Sequence, residues 1–352
     1  MKNTFRNKKV FITGHTGFKG SWLAFLLNEI GADVMGFALP PATSINHFDL
    51  LGLDKKIRHV VGDIRDAGLL NSTLSKFQPE YVFHLAAQAL VRPSYDDPVA
   101  TFSTNIIGSV NLLDAVKCCN SVRALVYVTS DKCYENVEWA WGYRENDQLG
   151  GRDPYSASKA AAEIVFSSYA RSFFEQRPLL GSATARAGNV IGGGDWAIDR
   201  IIPDCIRAIE AGKSIQLRNP NATRPWQHVL EPIAGYLLLA ERLYEDPKNW
   251  DGSWNFGPSV NEVGTVKNVA ETIFGHLGKG SIEIVESKEQ AHEARLLQLN
   301  CDKARQFLGW QPRWSTEKTL KATALWYKTV MSGGSAEQIT RTQIYEFFSE
   351  LT

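Results

Sequence analysis

Short apolar runs alternate with amphipathic stretches along the first half of the chain. Runs rich in β-branched and aromatic residues predict strands at 9–13, 33–39, 59–63, 81–86, 124–130 and 180–186. Between them, apolar positions recur at helical spacing, which predicts helices at 20–30, 99–118 and 155–174. Strands that alternate with helices favour a doubly wound, parallel α/β sheet.

The alternation is lost beyond residue 186. A glycine-rich loop at 192–196 and a segment rich in Arg, Asn and Pro at 218–226 lead into a mixed helix-and-strand region. We therefore expect one domain at 1–186 and a smaller mixed α/β lobe at 187–352, with 228–255 returning to the first domain. Ligands of open α/β sheets lie at the carboxyl ends of the strands, so the lobe should cover that edge and bind the substrate.

A glycine-rich loop, with the sequence TGHTGFKG at 13–20, joins the first strand to the first helix. Gly14 permits a tight turn, Gly17 lets the backbone approach a pyrophosphate, and Gly20 allows the helix to pack closely on the strand. The phosphates would then meet the positive end of the helix. This loop makes residues 1–186 a predicted Rossmann domain with a dinucleotide site.

The second predicted strand, 33–39, ends without an Asp or Glu for the adenosine ribose and without an Arg for the 2′-phosphate of NADP. NAD is therefore the expected cofactor, bound loosely. Asp63, after the third strand, is placed for the adenine edge, and small residues after the fourth strand allow close backbone contact. The full set of expected cofactor contacts is Gly14, Thr16, Gly17, Phe18, Gly20, Asp63, Ile64, Leu85, Ala86, Ala87, Gln88, Asn105, Tyr155 and Lys159.

Tyr155 and Lys159 lie four residues apart and so share one face of a predicted helix. An ammonium beside a phenol favours the phenolate, which makes Tyr155 a usable base near neutral pH. Ser130, Asp131 and Lys132 follow the fifth predicted strand. A simple alcohol dehydrogenase needs no carboxyl group there, so the combination indicates hydride chemistry assisted by further acid–base groups.

Composition excludes several other classes of protein. Lys+Arg and Asp+Glu number 38 each among 352 residues, so no net charge attracts nucleic acid or an anionic membrane. The five cysteines lack paired spacing, which fits reduced thiols and no metal site. The basic N-terminal residues lack the apolar segment of a signal peptide, and no apolar run approaches the roughly 18–20 residues of a spanning helix. We expect a soluble, cytoplasmic protein.

With these motifs the chain resembles the extended short-chain dehydrogenase/reductase superfamily, and within it the nucleotide-sugar 4,6-dehydratases. The matching stretches are 13–20, 62–66, 84–88, 104–108, 130–132, 155–159, 186–190 and 308–310. Dehydratases for dTDP-glucose and GDP-mannose typically carry Glu after the Asp. Lys132 in its place, with Gln88 and Arg92 after the fourth strand, is similar to the CDP-glucose 4,6-dehydratases.

The resemblance implies NAD-dependent conversion of CDP-glucose to CDP-4-dehydro-6-deoxyglucose and water, for the deoxysugars of surface polysaccharides such as O-antigen. It implies that Tyr155 takes the proton of the C4 hydroxyl while Ser130 orients that oxygen. Asp131 would protonate the departing C6 hydroxyl. Lys132 would serve or assist as the base at C5, or would merely pair with Asp131 or a phosphate.

The resemblance also implies where the nucleotide-sugar is held. Arg224 matches a diphosphate-binding Arg of the family, and Asn189 matches an Asn that hydrogen-bonds the phosphates; Arg218 is alternatively a solvated charge. The expected substrate contacts are Arg92, Ser130, Asn189, Arg218, Arg224 and Arg295.

Members of the family commonly assemble through paired helices, here 101–118 and 156–174, so a homodimer or homotetramer is expected. A dehydratase for another nucleotide-hexose, an epimerase and a noncatalytic NAD-binding scaffold are the alternatives.

Overall fold

A seven-stranded parallel sheet forms the centre of the molecule in the computed structural model, which describes residues 4–259, 263–285 and 296–349. In chain order the strands are β1 (Lys9–Thr13), β2 (Asp33–Ala38), β3 (Arg58–Val61), β4 (Tyr81–His84), β5 (Ala124–Val128), β6 (Gly181–Ala187), β7 (Val190–Ile191), β8 (Ile215–Leu217), β9 (Thr223–Pro225), β10 (Gln227–His228), β11 (Gly252–Phe256), β12 (Val263–Thr265) and β13 (Ile282–Ile284). The central sheet has the order β11-β6-β5-β4-β1-β2-β3. The predicted doubly wound α/β class is confirmed.

Helices cover both faces of this sheet. They are α1 (Phe18–Glu29), α2 (His47–Leu50), α3 (Ala67–Phe77), α4 (Val91–Asp96), α5 (Pro98–Phe102), α6 (Gly108–Cys118), α7 (Pro154–Tyr169), α8 (Ile201–Glu210), α9 (Leu230–Glu245), α10 (Val266–Leu277), α11 (Thr316–Met331) and α12 (Ala336–Ser349). Short 3-10 helices lie at Leu53–Lys55 and Asp131–Cys133, and π-helical turns lie at Ser103–Ile107, Ala170–Phe174 and Ala304–Leu308.

The parallel pairing brings the carboxyl ends of the strands to one edge. Thr13, at the end of β1, lies opposite Phe37 of β2 and His84 of β4. Loops that leave these ends therefore meet above the sheet, where ligands of such sheets bind. The six predicted strands are present, each within a few residues of its expected bounds, since strand ends are the least determined by local sequence.

Two later parts of the chain return to the central sheet. β11 pairs in parallel with β6 as the seventh strand, and α9 packs on β5 and β6. The C-terminal helix α12 lies against α1 and α2. The rest of the second half contributes three two-stranded sheets, formed by β7 with β10, β8 with β13, and β9 with β12.

One helical stretch, Pro98–Cys118, is long and apolar enough by composition to cross a membrane, which differs from the sequence expectation. In the structure it comprises α5, the π-helical turn and α6, and α6 packs against α3 and α7. This packing accounts for its apolar residues, because the helix covers the sheet.

The closest backbone approach in the first βα unit occurs at Gly20. A Cβ atom built there would lie 2.1 Å from the carbonyl oxygen of Gly14, so no larger residue fits without moving the loop. The α1 helix can approach β1 only because this position has no side chain, as the sequence predicts.

We expect Gly20→Ala to lower the free energy of unfolding by about 1–3 kcal/mol, because backbone must move to admit the methyl group. Gly68→Ala is the matched control. Gly68 lies exposed in α3, and its added Cβ would meet only Asp66 Oδ1, at 3.5 Å. This control should be neutral or stabilising by up to about 1 kcal/mol. Chemical denaturation measures both, and equal effects would contradict the packing argument.

Candidate active site

The glycine-rich loop has the geometry that a pyrophosphate requires. Gly14 has a φ of 79°, and a Cβ atom there would lie 2.6 Å from the amide nitrogen of Ala86. A Cβ at Gly17 would meet only the Gly14 oxygen at 3.4 Å, so the outer side of the loop is open. The α1 helix begins at Phe18 without a side-chain cap, which leaves its first N–H groups available to an anion.

The other expected cofactor contacts are distributed around this loop. Thr16 Oγ1 donates to the carbonyl oxygen of Leu39, 2.9 Å away, at the end of β2. Asp63 is paired with Arg65, whose hydrogen bonds lower the pKa of that carboxyl. The Ile64 side chain is buried next to Gly108, so only its backbone could face a ligand. Phe18 packs against the core.

Asn105 joins the end of β4 to α7. Its Oδ1 accepts from the amide of Gln88 at 2.8 Å, and its Nδ2 donates to the Gln88 oxygen and to Ser158 Oγ. Ser158 Oγ in turn donates to the carbonyl oxygen of Tyr155. Asn105 lies in the π-helical turn Ser103–Ile107, and such turns are frequent at functional sites. The structure therefore gives Asn105 a positioning role beside the predicted cofactor contact.

Leu85, Ala86 and Ala87 are half-buried after β4. The amides of Leu85 and Ala86 donate to the carbonyl oxygen and Oγ1 of Thr13, which fixes this segment beside the glycine-rich loop. The arrangement agrees with close backbone contact to a dinucleotide.

Ser130 and Asp131 form the turn that follows β5. The Ser130 side chain accepts from the amide of Lys132 at 3.2 Å and donates to Asp131 Oδ1 at 2.9 Å. Asp131 is buried, and burial raises the pKa of its carboxyl, although Lys132, Ser130 and Arg224 each lower it. A carboxyl group with a raised pKa is suited to donate a proton.

Tyr155 and Lys159 lie on one face of α7, both buried. Asp153 caps this helix by accepting from the amide of Ser156, and Pro154 occupies its first position. Lys159 Nζ is 6.0 Å from the centre of the Tyr155 ring. Ser130 lies close enough to Tyr155 to lower the pKa of its phenol by a hydrogen bond.

Burial has the largest effect on the pKa of both Tyr155 and Lys159. Burial raises the pKa of Tyr155 to about 12, above its ordinary value. Burial also lowers the pKa of Lys159 to about 8, so Lys159 loses its proton more readily than an exposed lysine does. Loss of solvent affects both groups, so the charge of the neighbouring residue does not by itself determine their protonation.

Apart from Ser130, the expected substrate contacts come from both halves of the chain, with Arg92 in α4 and the others beyond residue 186. Arg224 is buried and close enough to Asp131 to lower the pKa of that carboxyl. Arg92 and Arg218 both approach Asp199 Oδ1, at 2.7 and 3.6 Å. Asn189 follows β6, and its carbonyl oxygen accepts from the amide of Gln227. Arg295 lies outside the described residues.

Sequence reasoning did not identify two cations near these groups. Lys19, in the first turn of α1, interacts electrostatically with Asp131 and Lys159, and burial lowers its pKa to about 7. Arg200 pairs with the buried Asp195 at 2.9 Å and acts on the pKa of Tyr155. Lys19 could have been noticed as a charge within an apolar helix, whereas Arg200 has no such signal.

The site thus combines a phenol and an ammonium on one helix with a hydroxyl and a buried carboxyl at the end of β5. The first pair suits removal of a proton from a substrate hydroxyl, and the carboxyl suits protonation of a leaving group. The glycine-rich loop lies at the same edge of the sheet. This edge can therefore support a redox reaction coupled to an elimination.

Comparison with known proteins agrees with this chemistry. Residues 11–323 match the sequence profile of the family described as GDP-mannose 4,6 dehydratase. The chain belongs to this family. A CDP-glucose 4,6-dehydratase from Salmonella typhimurium is 45% identical over 355 residues, which cover 100% of this chain and 99% of that protein. The predicted resemblance to the nucleotide-sugar 4,6-dehydratases, and to the CDP-glucose enzymes among them, is confirmed.

Solved structures of a dehydratase and of an epimerase share the fold. A dTDP-glucose 4,6-dehydratase from Bacillus anthracis, in complex with NAD, has a TM-score of 0.77 at 24% identity, with 93% of this chain and 98% of that chain covered. A UDP-glucose 4-epimerase from Thermotoga maritima, with UDP-glucose, also has a TM-score of 0.77 at 23% identity, with coverage of 92% and 99%. The fold alone therefore does not separate dehydratases from epimerases, and the side chains of the site must do so.

Burial of Lys159 gives a prediction about stability. The pKa of Lys159 is about 8 in the folded protein and 10.5 when unperturbed. At a pH where Lys159 is charged in both the folded and the unfolded protein, burial of that charge lowers the free energy of unfolding. We expect Lys159→Met to raise the free energy of unfolding at pH 7 by on the order of 3 kcal/mol. The advantage should shrink as pH rises from 8 to 10.5, because the unfolded wild-type chain binds more protons there.

Thermal and chemical unfolding across this pH range measures the effect. Lys55→Met, at an exposed position, is the control and should leave stability unchanged at every pH. A destabilised Lys159→Met protein at pH 7 would contradict the inferred burial of charge.

Proposed function

We propose that this protein is an NAD-dependent CDP-glucose 4,6-dehydratase, a lyase that forms CDP-4-dehydro-6-deoxyglucose and water. The observation that carries the proposal is the buried Asp131, with its raised pKa, hydrogen-bonded to Ser130 at the end of β5 beside Tyr155. An epimerase needs a base and a cofactor but has no leaving group to protonate.

Bound NAD would supply the hydride acceptor for oxidation at C4 of the hexose and the hydride donor for reduction at C6. The residues that would hold it are those of the glycine-rich loop, the segment after β4, and Tyr155 with Lys159. The open outer side of Gly17 and the uncapped start of α1 fit its pyrophosphate.

Tyr155, as the phenolate, removes the proton of the C4 hydroxyl while Ser130 donates a hydrogen bond to the same oxygen. Lys159, in its ammonium form, stabilises the phenolate. Since burial raises the pKa of Tyr155 to about 12, formation of the phenolate near neutral pH depends on this assistance.

The 4-ketone acidifies the hydrogen at C5, so elimination across C5 and C6 becomes feasible. Asp131 gives its proton to the C6 hydroxyl, which leaves as water. Lys132 adjoins Asp131 in the same turn. We propose that it serves or assists as the base at C5, the alternative being that it only pairs with Asp131 or a phosphate. The proton held by the base would return to C5 as C6 receives the hydride. Tyr155 then holds the proton of the C4 hydroxyl while Asp131 has lost one, so one proton passes from Tyr155 to Asp131 through solvent before the next turnover.

Arg224 and Arg218 of the second lobe, with Arg92 of α4 and Asn189, are proposed to hold the nucleotide diphosphate. Arg224 acts on the pKa of Asp131, and Arg92 and Arg218 both approach Asp199. Arg guanidinium groups suit bidentate phosphate contact. The cytidine preference derives from the 45% identical relative, because the described residues include no contact that reads the base.

We propose that the protein acts in the cytoplasm as a homodimer or homotetramer that pairs α5, α6 and α7. These helices and their π-helical extensions expose large apolar side chains. Those residues are Val99, Phe102, Ile107, Ile164 and Phe173. Apolar faces of this kind are typical of helices covered by a partner.

Incubation with each of CDP-, dTDP-, GDP- and UDP-hexose tests the function. With NAD we expect a 4-keto-6-deoxy product from CDP-glucose, detected by mass spectrometry, and weaker activity with NADP. A product of unchanged mass and altered stereochemistry would indicate an epimerase. If keto product formed only from another nucleotide-hexose, that sugar would be the substrate in place of CDP-glucose. If no product formed from any of them, the proposed enzymatic activity would be wrong.

Asp131→Asn tests the division of labour within the site. We expect formation of keto product to fall by about 10²–10⁴-fold, because the leaving hydroxyl loses its acid. Oxidation at C4 should persist, seen as reduced nicotinamide absorbance and a keto-hexose that retains its C6 hydroxyl. Ser130→Ala is the contrast and should slow oxidation itself. If Asp131→Asn impaired both stages equally, the assigned role would be wrong.

A further inference from the structure

A buried ion pair lies directly behind the site. Arg186, in β6, donates from Nε to Glu163 Oε1 at 3.0 Å and from Nη2 to Oε2 at 2.8 Å. The two side chains are 3% and 2% exposed. Such a pair is stable only when its remaining hydrogen-bonding capacity is also satisfied.

That capacity is satisfied by five further residues. Glu163 also accepts hydrogen bonds from Thr129, after β5, and from Thr184 Oγ1 of β6 at 2.9 Å. Arg186 also donates to the hydroxyl of Tyr134, to the carbonyl oxygen of Glu145 and to Ser253 Oγ of β11. These three distances are 2.7, 3.0 and 2.9 Å.

Each catalytic segment is attached to this pair. Glu163 lies one helical turn beyond Lys159 on α7, so the two side chains are neighbours. Thr129 directly precedes Ser130. On the other side, Gly188 follows Arg186 by two residues, and a Cβ there would lie 3.0 Å from Asp131 Oδ2.

The charges around Lys159 come from several elements. Tyr155 and Glu163 share its helix, and Cys133 lies in the turn after β5. Lys19 of α1 and His84 of β4 also interact with it, and neither favours its charge. Cys133 raises the pKa of Lys159 more than Glu163 does, but burial raises the pKa of that thiol well above its ordinary value, so the thiol carries no charge near neutral pH. Glu163 is the carboxylate of this set, and it also raises the pKa of Lys159 against the effect of burial.

We propose that Glu163 is a positioning residue for the reaction: anchored by Arg186, its carboxylate orients α7 and supplies the negative charge that keeps Lys159 an ammonium. The inference rests on the proposed roles of Tyr155 and Lys159 and adds a residue that contacts neither substrate nor cofactor.

Glu163→Gln in the NAD-loaded enzyme tests it. The high-pH limb of the kcat/KM profile, where activity falls as Lys159 loses its proton, should move to lower pH by about one unit. Rates of variant and wild type should converge at low pH and differ by about tenfold at high pH, because one unit of pKa changes the charged fraction tenfold. A loss by the same factor at every pH would show mere structural damage and overturn the proposal.

Two further variants control for folding. Thr184→Val removes one hydrogen bond to Glu163 and keeps both charges, so it should lower the melting temperature without moving the limb. If Glu163→Gln does not fold, the double variant Glu163→Met with Arg186→Met removes the carboxylate without leaving an unpaired cation. It should show the same separation of rates, and an unmoved limb in that protein would refute the proposal.

A readout without turnover separates this inference from the proposed function. Titration of Lys159 is followed by NMR of its ¹³Cε in the NAD-loaded protein, with the Lys159→Met variant to assign the signal. With Glu163→Gln the ammonium should lose its proton at lower pH than in wild type. If wild type makes no keto product yet this shift appears, the function fails and the positioning role stands; an unshifted titration refutes the role itself.

Discussion

The site depends on a pair of opposite charges that water does not reach. Glu163 and Arg186 join α7 to β6, and their remaining bonds reach β11 and the segment after β5. An isolated charge in such surroundings would be strongly unfavourable, so each partner requires the other in one geometry. The catalytic groups are attached to these same elements, and their relative positions follow from this single contact.

Much of the fold could be predicted from local sequence. The glycine-rich loop identified the first βα unit, and strand-like runs located six strands of the sheet. Membership of β11 is harder to see, because a short strand such as Gly252–Phe256 is defined by its partner β6 rather than by its own pattern. Pairing between distant segments leaves little trace in either one.

The candidate site shows the same division. Tyr155, Lys159, Ser130 and Asp131 form recognisable motifs, and the structure brings them to one edge. Their protonation could not be predicted, since the pKa of a group depends on solvent exclusion by residues far along the chain. Lys19 and Arg200 were missed for a related reason: a cation reveals its role only when the groups that surround it are known.

The late arrival of β11 affects how the protein can be made. The strand that covers β6 is synthesised only after the whole of the segment between Val190 and Glu245, so the growing chain carries an exposed sheet edge for much of its synthesis. Exposed edges pair readily with other chains. Fragments that stop near residue 190 contain the complete nucleotide motif. They would nevertheless be prone to aggregation once released from the ribosome.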